Sequence, residues 1–317
     1  MGVLIMASNL PQRRSVLLGG LSVLGGSVLF APAGAAGAIA VATSFSILAD
    51  LVREVGGARV SVTSLAPVGT DLHHFQPRPS EVRGIGGAAV FVINGLGLEG
   101  WAERLAEAGG FRGKGVVATK GVKALAAVDS HGHGHGHGHG KQAAADPHAW
   151  QDVANVRLYV ANIRDGLTAA DPGGAAEYAA RTEAYQGRLD ALDAEIKAMF
   201  APIPRPQRRV VTSHEAFNYY ADAYEVDFLA ASGLSSHAEP SARAFAALIA
   251  QIKRERIKAL FLEHGLSPRL VEQLARETGV KIGGTLYADT LSAADGPAAT
   301  YVEMMRSNTR TIVAALA

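Results

Sequence analysis

Two periodicities alternate along most of this chain. Short runs of β-branched and other apolar residues predict strands over 39–43, 60–65, 88–93 and 115–119. Helices are expected between them over 46–56 and 79–86, which makes the first half a strand–helix alternation and implies a parallel sheet with crossover helices. A second series follows Pro202, Pro204 and Pro206: strand 209–212, helices 215–224 and 242–255, strand 257–262, helix 267–278 and strand 280–285. Between the two series, Tyr178, Thr182, Tyr185, Leu189, Leu192 and Ile196 recur four and three apart, predicting one long helix over 175–200. Such a helix would reach roughly 39 Å at 1.5 Å per residue, enough to bridge two bodies. The Asp171-Pro172-Gly173-Gly174 stretch is a suitable start for it. The expected fold class is therefore α/β, with two lobes, each a parallel sheet flanked by helices, joined by one long backbone helix. The expected divisions are an N-terminal lobe over 39–174, the helix over 175–200 and a C-terminal lobe over 201–317.

Residues 1–38 fall outside that pattern. Arg13-Arg14 precede an apolar run from Val16 to Phe30, and small residues follow at Ala33-Gly34-Ala35 and Ala36-Gly37-Ala38, the layout of a cleaved export signal. The paired arginines partly match a twin-arginine signal, with ordinary secretion as the alternative. The run contains four glycines and is short for a membrane span. The sequence contains no cysteine, which removes both disulfides and a lipid-modified cysteine at the cleavage site. The expected product is a soluble protein of the periplasm. Composition is that of a globular protein, 48% hydrophobic and 19% charged, and the formal net charge of +1 provides no electrostatic basis for binding nucleic acid or an anionic membrane.

Histidine supplies the candidate chemistry. His131, His133, His135, His137 and His139 alternate with glycine inside a loop over 129–145. Alternating Gly and His cannot bury an apolar face, so the segment reads as a solvated loop that traps metal weakly, or as a polar spacer. Gly95-Leu96-Gly97-Leu98-Glu99-Gly100 formally satisfies a dinucleotide-binding pattern, but the next predicted strand runs into Lys120 where an acidic residue should hold a ribose. A tight strand-to-helix corner is the simpler reading. Four further places carry metal-ligand types: Asp71-Leu72-His73-His74-Phe75-Gln76-Pro77, Asp146-Pro147-His148-Ala149-Trp150, Ser213-His214-Glu215-Ala216-Phe217 and Tyr287-Ala288-Asp289-Thr290. Three of the four stand at the carboxyl ends of predicted strands, where open α/β sheets present ligand-binding residues.

Taken together and in order, these motifs resemble those of the cluster A-I solute-binding proteins of zinc and manganese ABC transporters. Glu239-Pro240-Ser241, Asn94-Gly95-Leu96-Gly97-Leu98-Glu99 and the run from Tyr287 to Ser292 followed by Tyr301-Val302-Glu303-Met304-Met305 belong to the same resemblance. It implies two α/β lobes on one long helix and a metal held between them by His73, His148, His214 and Asp289. It also implies a membrane permease as partner and a monomeric binding protein, with a periplasmic zinc donor as a further partner. Glu239 is expected to orient a ligand imidazole. Leu72 departs from the proline common at that position, with an effect on loop rigidity. His74 is read as pointing away from the metal, His237 as a surface residue, and Glu263 and His264 as structural.

Three imidazoles and one carboxylate suit Zn2+ in a four-coordinate site, whereas Mn2+ favours more oxygen donors. A zinc hydrolase would need an open coordination position and a general base; the H-E-x-x-H template fails because position 218 is asparagine, so no enzyme activity is expected. An exported zinc buffer or metallochaperone would use the same residues and is not separated from a transport protein by them.

Overall fold

A computed structural model of the chain describes residues 37–126, 145–232 and 240–317. Strands β1 (Ile39–Thr43), β2 (Val60–Ser64), β3 (Val90–Ile93) and β4 (Lys114–Val117) form one parallel sheet in the order β2-β1-β3-β4. Val41 lies opposite both Val62 and Val90, which sets the register at the sheet centre. Helix α1 (Ser46–Gly56) links β1 to β2 and buries Ile47, Leu48, Leu51, Val52 and Val55, while α2 (Pro79–Ile85) and α3 (Ala102–Ala108) make the other crossovers.

Helix α4 (Val153–Ala170) has no counterpart among the predicted elements. It starts where the Asp152 side chain accepts the Ala154 N–H, an N-cap bond, and buries Val156, Tyr159, Val160, Ile163 and Leu167 on one face. Helix α5 (Ala175–Phe200) has the predicted bounds, and its buried residues are the predicted stripe extended to Phe200. It packs against α1 and α4 on one side.

The second sheet contains β5 (Arg209–Thr212), β6 (Asp227–Ala230), β7 (Ala259–Glu263) and β8 (Lys281–Leu286), again all parallel, in the order β6-β5-β7-β8. Helices α6 (Asn218–Tyr224), α7 (Ala242–Glu255), α8 (Arg269–Thr278) and α9 (Tyr301–Leu316) flank it, and α5 also touches α6 and α9. The edge strand β6 and helix α9 were not among the predicted elements. Helix α6 begins three residues later than expected because the Ala216 N–H turns back to the His214 carbonyl at 3.0 Å, a tight turn that a helix cannot contain; the N–H groups of Ser213 and His214 are directed to the Glu263 carboxylate. Among the described residues, no helix is long and apolar enough to cross a membrane. The predicted export signal lies almost wholly outside the described residues, as do the five histidines at 131–139, His237 and Glu239.

Candidate metal centre

Each of the four candidate ligands stands on a loop beyond the carboxyl end of a strand. His73 follows β2 in a loop whose buried Leu72 anchors it to the main core, and the Asp71 carboxylate accepts the His73 backbone N–H at 3.0 Å. His148 lies beyond β4; Asp146 Oδ1 accepts its backbone N–H at 2.9 Å and lies 2.7 Å from its Nδ1. His214 comes directly after β5, with Nδ1 2.6 Å from Glu263 Oε2 at the end of β7. Asp289 lies three residues past β8.

These contacts set the ring orientation. The carboxylate hydrogen-bonded to His148 Nδ1 fixes a proton on that nitrogen and turns Nε2 toward the other ligands, and the charge of Glu263 beside His214 Nδ1 favours the same arrangement there. His73 Nε2 is 3.1 Å from His148 Nε2 and 3.6 Å from Asp289 Oδ2. Asp289 Oδ1 is 3.5 Å from His148 Nε2, and Oδ2 is 3.3 Å from His214 Nε2. Donors placed tetrahedrally at about 2.05 Å from a zinc ion would be about 3.3 Å apart. One donor atom from each of the four residues can be chosen so that all lie within 4.8 Å of one another. Neither Asp289 oxygen has a hydrogen-bond partner, and both are buried, as is the equally unpartnered His214 Nε2. Such a cluster of orphaned buried donors and acceptors fits a cation.

Electrostatics act differently on the members. Burial lowers the His73 pKa to about 4, with the neighbouring His148 and His214 adding to the effect against the pull of Asp289, so this ring is a neutral ligand at neutral pH. Burial also favours a neutral His214, but the charges of Glu263 and Asp289 outweigh it and push its pKa well above the usual value. Burial would raise the pKa of Asp289, yet His214 and His148 hold it well below the usual carboxylate range.

His74 is not one of the four. It is exposed and pairs with Asp71 at 3.3 Å. His264 lies with its ring 5.0 Å from that of Tyr287. Glu263, expected to be structural, is the carboxylate beside His214 Nδ1, whereas Glu239, expected to orient a ligand imidazole, lies outside the described residues. The glycine corner at 95–100 is structural: Gly95, Leu96 and Gly97 all have positive φ, and the Glu99 carboxylate accepts the N–H groups of Asn94 and Gly95. A carboxylate thus occupies backbone donors that a phosphate would need.

Several contributors lie far apart in the chain and went unnoticed in the sequence. Asn218 donates to Asp146 Oδ2 at 3.0 Å, and the Tyr219 hydroxyl donates to the Asp146 carbonyl at 2.9 Å. The pattern D-x-H at 146–148 was a local signal for the carboxylate; nothing local pointed to the residues of α6.

Comparison with known proteins agrees with this geometry. Residues 41–315 match the family ZnuA, zinc-uptake complex component A, periplasmic. The manganese-binding lipoprotein MntA of Halalkalibacterium halodurans is 35% identical over 277 residues, covering 87% of this chain and 88% of that protein. The iron-binding protein YfeA of Yersinia pestis is 30% identical over 272 residues, covering 86% and 84%. The solved periplasmic zinc-binding protein TroA of Treponema pallidum superposes with a TM-score of 0.80 at 30% identity, covering 89% of this chain and all of the other. With its two parallel sheets and its imidazole–carboxylate cluster, the chain belongs to the ZnuA family of periplasmic metal-binding proteins that serve ABC transporters.

Proposed function

We propose that this protein captures Zn2+ with His73, His148, His214 and Asp289 and delivers it to an ABC permease. The observation that carries this reading is the convergence of one donor atom from each of the four residues within 4.8 Å, with contacts of 3.1 to 3.6 Å among them, near the edge of a zinc tetrahedron. Three imidazoles favour zinc over manganese by ligand type. Four protein donors also leave a tetrahedral ion no open position for an activated water, which argues for carriage over hydrolysis.

The chain is read as an N-terminal lobe over 39–174, a backbone helix over 175–200 and a C-terminal lobe over 201–317, with the ion between the lobes. Residues 1–38 direct export, and the absence of cysteine favours a soluble periplasmic product over a lipid-anchored one. The histidine-rich loop raises the local zinc concentration; Ala126 and Ala145 pair across its base, and Asp146, the carboxylate beside His148, is the next residue.

A manganese reading is favoured by one observation: both Asp289 oxygens are unpartnered, so this residue can ligate through two oxygens and raise the coordination number. Titration of zinc and of manganese against a competing chelator, into protein stripped of metal and lacking residues 131–140, separates the readings. One tight zinc-selective site is expected. Tighter manganese binding would reverse the assignment of cargo, and weak binding of both would show that the four residues do not form the site.

A further inference from the structure

Asp289 differs from its companions in how it is held. Asp146 is hydrogen-bonded to His148 Nδ1, and Glu263 lies 2.6 Å from His214 Nδ1. The Asp289 carboxylate instead faces the three imidazoles, and neither of its oxygens has a hydrogen-bond partner. Its aim must therefore come from the backbone on either side.

That backbone is gripped closely. Asn308 on α9 exchanges two 2.8 Å hydrogen bonds with the N–H and carbonyl of Tyr287. The Leu291 N–H donates to Ser46 Oγ on α1. Between them, the Ala288 carbonyl accepts two hydrogen bonds, from Trp150 Nε1 and from Gln151 Nε2, each at 2.8 Å. Both donors are fully buried and lie two and three residues beyond His148. The segment that carries one metal-facing imidazole thus holds the peptide next to the metal-facing carboxylate.

Gln151 is costly where it stands. Its Oε1 is buried without a hydrogen-bond partner, and a buried amide half-satisfied in this way subtracts from stability. Trp150 already satisfies the Ala288 carbonyl, so the second donor is redundant for folding. Its remaining effect is to stop the 288–289 peptide from rotating about a single hydrogen bond. We infer that Gln151, acting with Trp150, is the positioning residue for Asp289 and sets the separation between Asp289 and His148 on which ion retention depends. This rests on the proposed role of Asp289 as a ligand.

The test is Gln151→Met, which keeps side-chain length and removes the donor and the orphaned oxygen together. The full chain, loaded with one equivalent of zinc, is mixed with excess chelator and the release rate recorded. Cobalt substitution provides a visible spectrum that reports ligand geometry, and melting of the metal-free protein reports folding. Zinc release about tenfold faster is expected, since orienting contacts around metal ligands contribute roughly 10- to 100-fold in affinity. An altered cobalt spectrum and a metal-free melting temperature unchanged or raised are expected alongside it. Trp150→Phe, which keeps a ring and removes the other donor, should also speed release. Release at the unmodified rate from Gln151→Met, while the unmodified protein binds normally, overturns the role of Gln151 alone. Faster release accompanied by a lower metal-free melting temperature overturns it too, by assigning the residue to folding. Failure of the unmodified protein to hold zinc or cobalt would instead remove the site reading, and the role of Gln151 with it.

Discussion

His73 and His214 share one cluster, yet their surroundings drive them in opposite directions. Burial moves His73 down to about 4, so from neutral pH down to about pH 5 it offers a lone pair without first losing a proton. Burial acts on His214 too, but Glu263 and Asp289 hold a proton on it that an incoming cation must displace. Metal affinity should therefore rise with pH while His214 is the group that releases the proton, by about tenfold per pH unit for one proton released. Chelator competition at three pH values, with proton release followed by a pH indicator, checks this. An affinity flat across those values would mean that His214 is already neutral. The same shift has the opposite effect on the metal-free fold. A histidine whose pKa is raised on folding contributes stability that is complete below its unfolded value of 6.5 and is lost as pH rises through the folded value.

Among the elements, α1 and α9 are joined by a charged group in a costly place. Asp50 on α1 accepts the N–H of Tyr301, the first residue of α9, at 2.8 Å. Burial nevertheless outweighs that bond and, with Glu54 nearby, moves the Asp50 carboxyl from 3.8 up to about 6. A carboxyl raised on folding favours the folded state most below its unfolded pKa, and the benefit disappears as pH rises through the folded one. A shift of about two units corresponds to at most about 3 kcal/mol of destabilisation above pH 6. Asn at this position keeps an acceptor for Tyr301 and cannot ionise. Asp50→Asn should thus melt at a higher temperature than the unmodified protein at pH 8 and at a similar one at pH 4, as followed by circular dichroism. Equal destabilisation at both values would assign the residue's effect to the hydrogen bond and not to its charge.

For the whole molecule, α5 decides how far the halves can move. It packs on α1 and α4 and also on α6 and α9, burying one stripe from Tyr178 to Phe200. Bending a helix through its packed middle would break backbone hydrogen bonds and open the core, unlike rotation about extended hinge strands. Uptake of zinc should therefore leave the radius of gyration almost unchanged in small-angle scattering, with local shifts of the ligand loops only. A contraction of several ångströms, as in wide domain closure, would contradict the role of α5.

How far these features could be read in advance depended on the range of the interactions behind them. The bounds of α5 and most strands followed from apolar spacing, because a stripe that must be buried leaves its period in the chain. The candidate ligands were legible because metal chemistry restricts residue type, and strand ends are where α/β folds present such groups. Helix α4 also carries a local signal, Asp152 followed by apolar positions three and four apart. The start of α6 was misplaced because the Ala216 N–H closes a tight turn on the His214 carbonyl. By itself, then, the sequence determined the two α/β halves, the long helix between them and the four residues with ligand chemistry. Tertiary structure alone decided that those four converge, that Glu263 stands beside the His214 imidazole, and that Trp150 and Gln151 grip the peptide beside Asp289. The reason is physical: local periodicity records which face is buried, whereas orientation at a metal site comes from contacts between segments far apart in the chain, which no single stretch encodes.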